Sequence, residues 1–327
     1  MKHLLSLGVL LMLFAPVAEA CTIPVFRYAL EKWELTPYEV LVFHRGPLPK
    51  DADAELKKWT DVRMKINLDV TLVDLDAKMS DTHAKLWKRE GDPQKTPFML
   101  VRYHGIGAGD PSAWKGECTA ANLRNVIDSP MRQTILGHLT GGASVVYVLL
   151  ASGDEKADKA VHAMAAKELA DLEKKLKLPV QAENGPKLRL PLPLKVSLPL
   201  VVVDRKSAAE AGLVSLLLNI EEDLDTVKGP ILFPIFGRGR ALGGLSGKEL
   251  NAEILFRATQ FLCKECSCQV KELNPGVDLI FHANWNDIFD RMFDKKDVSP
   301  LKKSSRRIEM RDRIADPLEL RIARSER

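Results

Sequence analysis

The chain has 327 residues, of which 46% are hydrophobic and 28% charged, and its formal net charge is +4. That length and apolar content suffice for two packed cores and exclude a chain too polar to fold. From Arg291 onward there are 12 basic and 7 acidic residues, so the tail carries the whole excess and a nucleic-acid-binding body is excluded.

Residues 1–20 read as a cleavable secretion signal. Lys2 and His3 supply the positive start, Leu4–Phe14 the apolar stretch, and Ala18-Glu19-Ala20 the small-residue cut site. The apolar stretch is about half the ~20 residues needed to cross a bilayer, and no later stretch is longer. The expectation is an exported mature chain of the periplasm or cell envelope, beginning at Cys21, with no transmembrane span. A lipid anchor on Cys21 is the alternative, but such signals usually carry a bulky aliphatic residue where Ala18 stands.

Helices and strands then alternate. A short helix over Val25–Trp33 opens after Pro24, and Glu39–Phe43 (EVLVF) reads as a buried strand ending at His44-Arg45-Gly46-Pro47. Asp51–Trp59 is helical, Leu68–Leu75 a strand, Ser80–Glu90 a helix, and Phe98–Tyr103 (FMLVRY) a strand entered through Thr96-Pro97. One helix is expected over Thr119–Leu139, capped by Thr119. After Gly141-Gly142 the pattern restarts: strand Ser144–Leu150, long helix Glu155–Leu178, a proline-rich loop over Gln181–Pro193, and strand Leu198–Asp204. Helix Ser207–Asp223, strand Ile231–Phe236 and helix Lys248–Leu262 follow. Such alternation defines an α/β layer structure.

The two halves overlay. Thr96-Pro97-FMLVRY leads through a glycine-rich turn to Gly116-Glu117-Cys118-Thr119 and a helix. Gly229-Pro230-ILFPIF leads through Gly237 to Gly244-Leu245-Ser246-Gly247-Lys248 and a helix. Each half reads as proline, apolar strand, glycine turn, second strand, hydroxyl cap and helix. Coming after strand–helix–strand–helix, this resembles the C-terminal half of a thioredoxin-like domain. The whole chain is also similar to exported bacterial proteins, a likeness that implies no activity. The resemblance implies a thioredoxin-like domain at 21–140, a second at 141–290 with a cysteine-rich end, and a basic tail at 291–327. It further implies that a proline, usually cis, precedes the third strand and faces the active site.

A thioredoxin-like oxidoreductase needs Cys-x-x-Cys where its first strand meets its first helix, because the helix N-terminus lowers a thiol's pKa there. Those places hold Phe43-His44-Arg45-Gly46-Pro47-Leu48 and Ala151-Ser152-Gly153-Asp154, without cysteine. The expected function is therefore non-catalytic: a binding or scaffold protein of the cell envelope with a protein or peptide partner. The ligand site to look for is His44 and Arg45, at a strand's C-terminal end where α/β folds place ligands, with Pro97 before the third strand; the plainer alternative is a histidine packed at the strand end beside a solvated Arg45.

Cys263, Cys266 and Cys268 offer the alternative, an atypical thiol-redox or metal-handling protein. Three thiols within six residues can bind zinc or cuprous copper, with His282 or Cys118 as a fourth ligand. They can equally form a disulfide, the reading favoured here, with the third thiol free or paired to Cys118. Cys263 ends a helix, where the dipole disfavours a thiolate, and this argues against catalysis. The glycine-rich stretches Gly105–Gly109 and Gly237–Arg240 precede strands and read as hairpin turns, not phosphate loops.

Overall fold

A computed structural model describes residues 22–61, 65–181, 185, 187–266 and 270–293. Residues 1–20, where a signal sequence is expected, Cys21, Cys268 and the stretch from residue 294 lie outside them. Among the described residues no helix is long and apolar enough to cross a membrane.

Helix α1 (Val25–Lys32) precedes strand β1 (Tyr38–His44). Helix α2 (Lys50–Trp59) returns the chain to β2 (Leu68–Asp74), which lies parallel to β1. Helix α3 (Asp81–Glu90) leads to β3 (Phe98–Tyr103), antiparallel to β1, and β4 (Trp114–Glu117) pairs antiparallel with β3. The first sheet has the order β2-β1-β3-β4, and helices α4 (Ala120–Ile127) and α5 (Pro130–Thr140) follow it.

The second half repeats this order and these senses. Strand β5 (Val145–Ala151), helix α6 (Glu155–Lys175) and the parallel strand β6 (Leu200–Asp204) come first. Helix α7 (Ala211–Leu218) then leads to β7 (Ile231–Phe236), antiparallel to β5. The fourth strand is split into β8 (Arg240–Ala241) and β9 (Leu245–Ser246), both antiparallel to β7. Their gap falls beside Pro234, which has no N–H to offer a ladder. Helix α8 (Ala252–Cys263), strand β10 (Val277–Asp278) beside β8, and helix α9 (Trp285–Phe293) complete the described chain.

Side-chain alternation along the central strands sorts the core into layers. Leu41 and Phe43 face outward with Leu86 of α3, whereas Val40 and Val42 face inward. The inward layer holds residues of α2, α4, α5 and α7 and continues to Val146, Val148 and Leu150 of β5. Val145, Tyr147 and Leu149 face the other way, against α1, α6 and α8. The two sheets are thus separated by a shared layer of helices, and both central strands are covered on both faces, which is why they read as unbroken apolar runs. The amphipathic α1 buries most of its apolar face against the second sheet.

The structure corrects several sequence expectations. The helix expected over Thr119–Leu139 is two helices. Pro130 has no N–H for the carbonyl of Val126, so α4 stops at Ile127 and α5 restarts with Ser129 as its cap. The freed carbonyls of Asn125 and Val126 accept hydrogen bonds from the buried Arg132 guanidinium at 3.0 and 2.8 Å. The segment Ser207–Asp223 is helical only from Ala208 to Leu218, first as a single 3-10 turn and then as α7. Thr96–Pro97 is cis, as expected; Gly229–Pro230, its counterpart by sequence, is not.

Candidate functional site

Strand β1, an inner strand of the first sheet, ends at His44, and the pairing register assembles the rest. His44 lies opposite Asp74 on β2, while Phe43 lies opposite Phe98 on β3, so Pro97 comes alongside His44. The His44 Nδ1–H donates to the Gly46 carbonyl at 2.8 Å, closing a turn in which Gly46 has φ +60°, a conformation that suits glycine. Arg45 pairs with the Asp76 carboxylate, both side chains being about three-fifths exposed (59% and 58%). The register thus sets His44 beside Pro97, while Arg45, the next residue along the chain, turns to Asp76. With Asp74 and Asp76 they make a small rim with hydrogen-bonding and ion-pairing capacity, and the buried Cys118 lies next to it, its N–H donating to the Pro97 carbonyl at 2.7 Å.

The equivalent turn of the second half is closed. The Asp158 carboxylate, buried in α6, accepts from the Ser152 N–H at 2.8 Å, the Ser152 hydroxyl at 2.8 Å and the Gly153 N–H at 2.9 Å. Asp154 in turn caps α6 through the N–H groups of Lys156 and Ala157. Donors that could receive a ligand are already spent on the protein itself.

A second concavity, of about 330 Å³, lies where the two halves meet and was not legible in the sequence. Tyr38 and Tyr103 form one wall with ring centroids 5.2 Å apart; Ile220 and Val277 contribute apolar surface, and His104 stands at its side. Beneath them Asp278 receives Arg240 at 2.9 Å, the Lys271 ammonium, and the Thr36 N–H at 2.8 Å. Arg240 also donates to the carbonyls of Asn274 and Pro275, and Lys271 to the Thr36 hydroxyl at 2.8 Å. Tyr38 donates to the Asp278 carbonyl at 2.7 Å and Tyr103 to that of Leu216 at 3.1 Å. Burial pushes both phenols well above their ordinary pKa, so they stay protonated donors. The ionic groups are saturated by one another, and their role here is to join β1, β8 and β10. Of the three ionic groups, Arg240 alone falls in a stretch singled out by sequence, the glycine-rich turn Gly237–Arg240.

The cysteines separate. Cys118 sits in the shared layer between the sheets, whereas Cys263 and Cys266 sit in the layer beyond the second sheet. Cys118 is therefore not placed to complete a site with them, by disulfide or by metal ligation. His282 lies beside Asp128, with Nδ1 3.9 Å from the carboxylate, and its neighbours Phe281 and Ala283 pack in the shared layer. Among the described residues no disulfide joins Cys118, Cys263 and Cys266 to one another, and no group of three potential ligands could hold a metal ion. Cys268, the third member of the cluster, lies outside those residues. Burial pushes the Cys118 thiol up to about 11 and the Cys263 thiol up to about 12, so neither is a thiolate at neutral pH.

Fold and sites together define a mixed α/β protein with two mixed sheets of like topology. No family model matches the chain, and no curated protein matches it. Among solved structures, the zinc-bound form of human ERp44 aligns with it at 9% identity and a TM-score of 0.21. That match covers 73% of this chain and 58% of the other, and a likeness this weak carries no argument.

Proposed function

We propose that this is an exported, non-catalytic protein of the cell envelope, built from two thioredoxin-like units and acting as a binding or scaffold module. The repeated strand order, with a parallel pair, an antiparallel third strand and a closing helix in each half, supports the two-unit reading. The observation that carries the non-catalytic reading is the content of the two strand–helix junctions. One holds His44-Arg45-Gly46-Pro47, and the other a turn sealed by Asp158, so neither offers the dithiol that disulfide exchange needs. The open rim of His44, Arg45 and Pro97 suits a polar contact with a protein or peptide partner.

Purified protein mixed with insulin and dithiothreitol is expected to reduce insulin no faster than dithiothreitol alone. Turnover comparable to that of an active thioredoxin would overturn the proposal. The competing reading, thiol-redox or metal handling through Cys263, Cys266 and Cys268, draws less support because Cys263 is buried at a helix C-terminus with its pKa raised. Native mass spectrometry separates the two: bound zinc or copper that is lost from Cys→Ser variants of the cluster would favour metal handling.

A further inference from the structure

Strand β2 is the outer strand of the first sheet, and among the described residues no further strand pairs with its other edge. Such an edge is a template for another chain. Asp69, Thr71, Leu72 and Asp74 of β2 are exposed, Leu72 by 52%, whereas the equivalent strand β6 has no exposed residue. The pairing with β1 fixes which backbone groups face the open side. The Tyr38 N–H donates to the Asn67 carbonyl at 2.8 Å, and the Leu75 N–H donates to the His44 carbonyl at 2.9 Å. Backbone groups alternate sides along a strand, so Asp69, Thr71 and Val73 direct theirs to β1, and Leu68, Val70, Leu72 and Asp74 direct theirs outward. Two of the outward groups are engaged locally: the Leu68 N–H donates to the Ile66 carbonyl at 2.8 Å, and the Asp74 carbonyl accepts from the Ala77 N–H at 3.4 Å. The N–H groups of Val70, Leu72 and Asp74 and the carbonyls of Leu68, Val70 and Leu72 remain.

We propose that this edge is a homodimer interface, in which a second copy of the chain adds its own β2 antiparallel to the first, with the two-fold axis through Thr71. In that register Val70 of one copy faces Leu72 of the other and the pair exchanges both hydrogen bonds, while the Asp74 N–H reaches the Leu68 carbonyl. The two groups this leaves over, the Leu68 N–H and the Asp74 carbonyl, are the two already bonded within each copy. A regular strand from another protein would bring a fresh acceptor and a fresh donor against those engaged groups and leave them unpaired in the sheet. The side chains agree with the backbone. The half-exposed Leu72 comes against Val70, Thr71 pairs with its own copy, and Asp69 and Asp74 stand opposite Val73 and Leu68, so no carboxylate faces another. The first-half sheets of the two copies then run on as one. The pairing needs neither export nor the rim of His44 and Arg45, so it stands apart from the function proposed above.

The purified full-chain product of an export-competent host, kept in reductant, is weighed by light scattering after gel filtration at loadings across the micromolar range. The expected result is a mass that rises from one chain to two, since interfaces of small area are weak. Leu72→Lys sets a charge against Val70 of the second copy and should hold the mass at one chain at every loading, with an unchanged circular dichroism spectrum. Thr71→Cys gives a readout that does not depend on Leu72→Lys folding. The two copies of residue 71 form a pair without direct hydrogen bonds, with Cα atoms about 4.5 Å apart and within reach of a disulfide. Oxidised glutathione should therefore join Thr71→Cys into a covalent dimer, with the bond mapped to residue 71 by peptide mass spectrometry. Asp69→Cys, whose two copies would lie about 13 Å apart along the strands, should form no link through residue 69. A chain that stays single at every loading, a dimer indifferent to Leu72→Lys, or a residue 71 that stays reduced while residue 69 links overturns the proposal.

Discussion

Arg240 and Asp278 form an ion pair, Nη1 to Oδ1 at 2.9 Å, in which both side chains are almost wholly buried. Lys271 occupies the other carboxylate oxygen, so a single negative charge serves two buried cations, and the trio ties β8 to β10 beneath the cavity. Removing one member of a buried ionic group leaves the others desolvated and unpaired, which costs about 3–5 kcal/mol. Asp278→Asn should lose stability of that order in urea denaturation. A loss below about 1 kcal/mol would mean that the carboxylate is not the keystone of the group.

Arg132 performs a comparable task chiefly with backbone partners, the Ser129 hydroxyl adding a long contact at 3.5 Å. Its Nε donates to the Ile280 carbonyl at 2.9 Å across 148 residues of sequence, while its other nitrogens cap the broken end of α4. Each hydrogen bond from a charged donor contributes about 1.5–3 kcal/mol. Arg132→Met keeps much of the side-chain volume and removes all the donors, so it should destabilise by about 3 kcal/mol or more. Arg132→Lys, with a single ammonium in place of a planar fork, should recover only part of this.

Gly212 in α7 packs directly on Asn125 of α4. A Cβ there would come within 2.2 Å of the Asn125 carbonyl oxygen, and the Gly212 N–H donates to the Asn125 side chain. Gly212→Ala must push the helices apart in the layer shared by the two sheets, with a cost of about 1–3 kcal/mol. The same substitution at an open helix position would raise stability slightly, so a neutral outcome in thermal unfolding would contradict the close approach.

Alkaline pH should weaken the fold through the buried thiols. In the unfolded chain Cys118 ionises near its ordinary value of 9.0; in the folded chain burial delays this to about 11. Above pH 9 the unfolded state therefore holds fewer protons, so stability is full below that pH and falls as pH rises towards about 11. Cys263 acts in the same direction to about 12. Urea midpoints measured from pH 8 to 11 should fall, and Cys118→Ala should flatten the early part of the slope. A level profile in the wild type would sink this account.

At the rim, by contrast, the Arg45–Asp76 pair is open to solvent and exposed pairs of this kind contribute about 1 kcal/mol or less. Arg45→Ala should leave the unfolding midpoint nearly unchanged, which makes it the variant of choice for testing partner binding at this end of the sheet. A large drop in stability would show that Arg45 holds the turn rather than serving a surface.

The sequence by itself determined the kinds of element and their order. Apolar runs such as EVLVF and SVVYVLL, and caps such as Ser80, Thr119 and Asp154, act through neighbours in the chain, and each appears where those signals put it. The same local logic brought His44, Arg45 and Pro97 into view, because a strand end and the proline opening the next strand are readable in a short window. Even the break at Pro130 is locally encoded, since a proline lacks the N–H that a continuous helix needs at that place. Only the tertiary structure decided that α1 packs on the second sheet, that Cys118 and Cys263 lie in different layers, and that Asp278 gathers Thr36, Arg240 and Lys271. The physical reason is separation: Asp278 meets the Thr36 N–H across 242 residues, and a charge far along the chain reads as solvated until folding removes its water and leaves another residue as its partner.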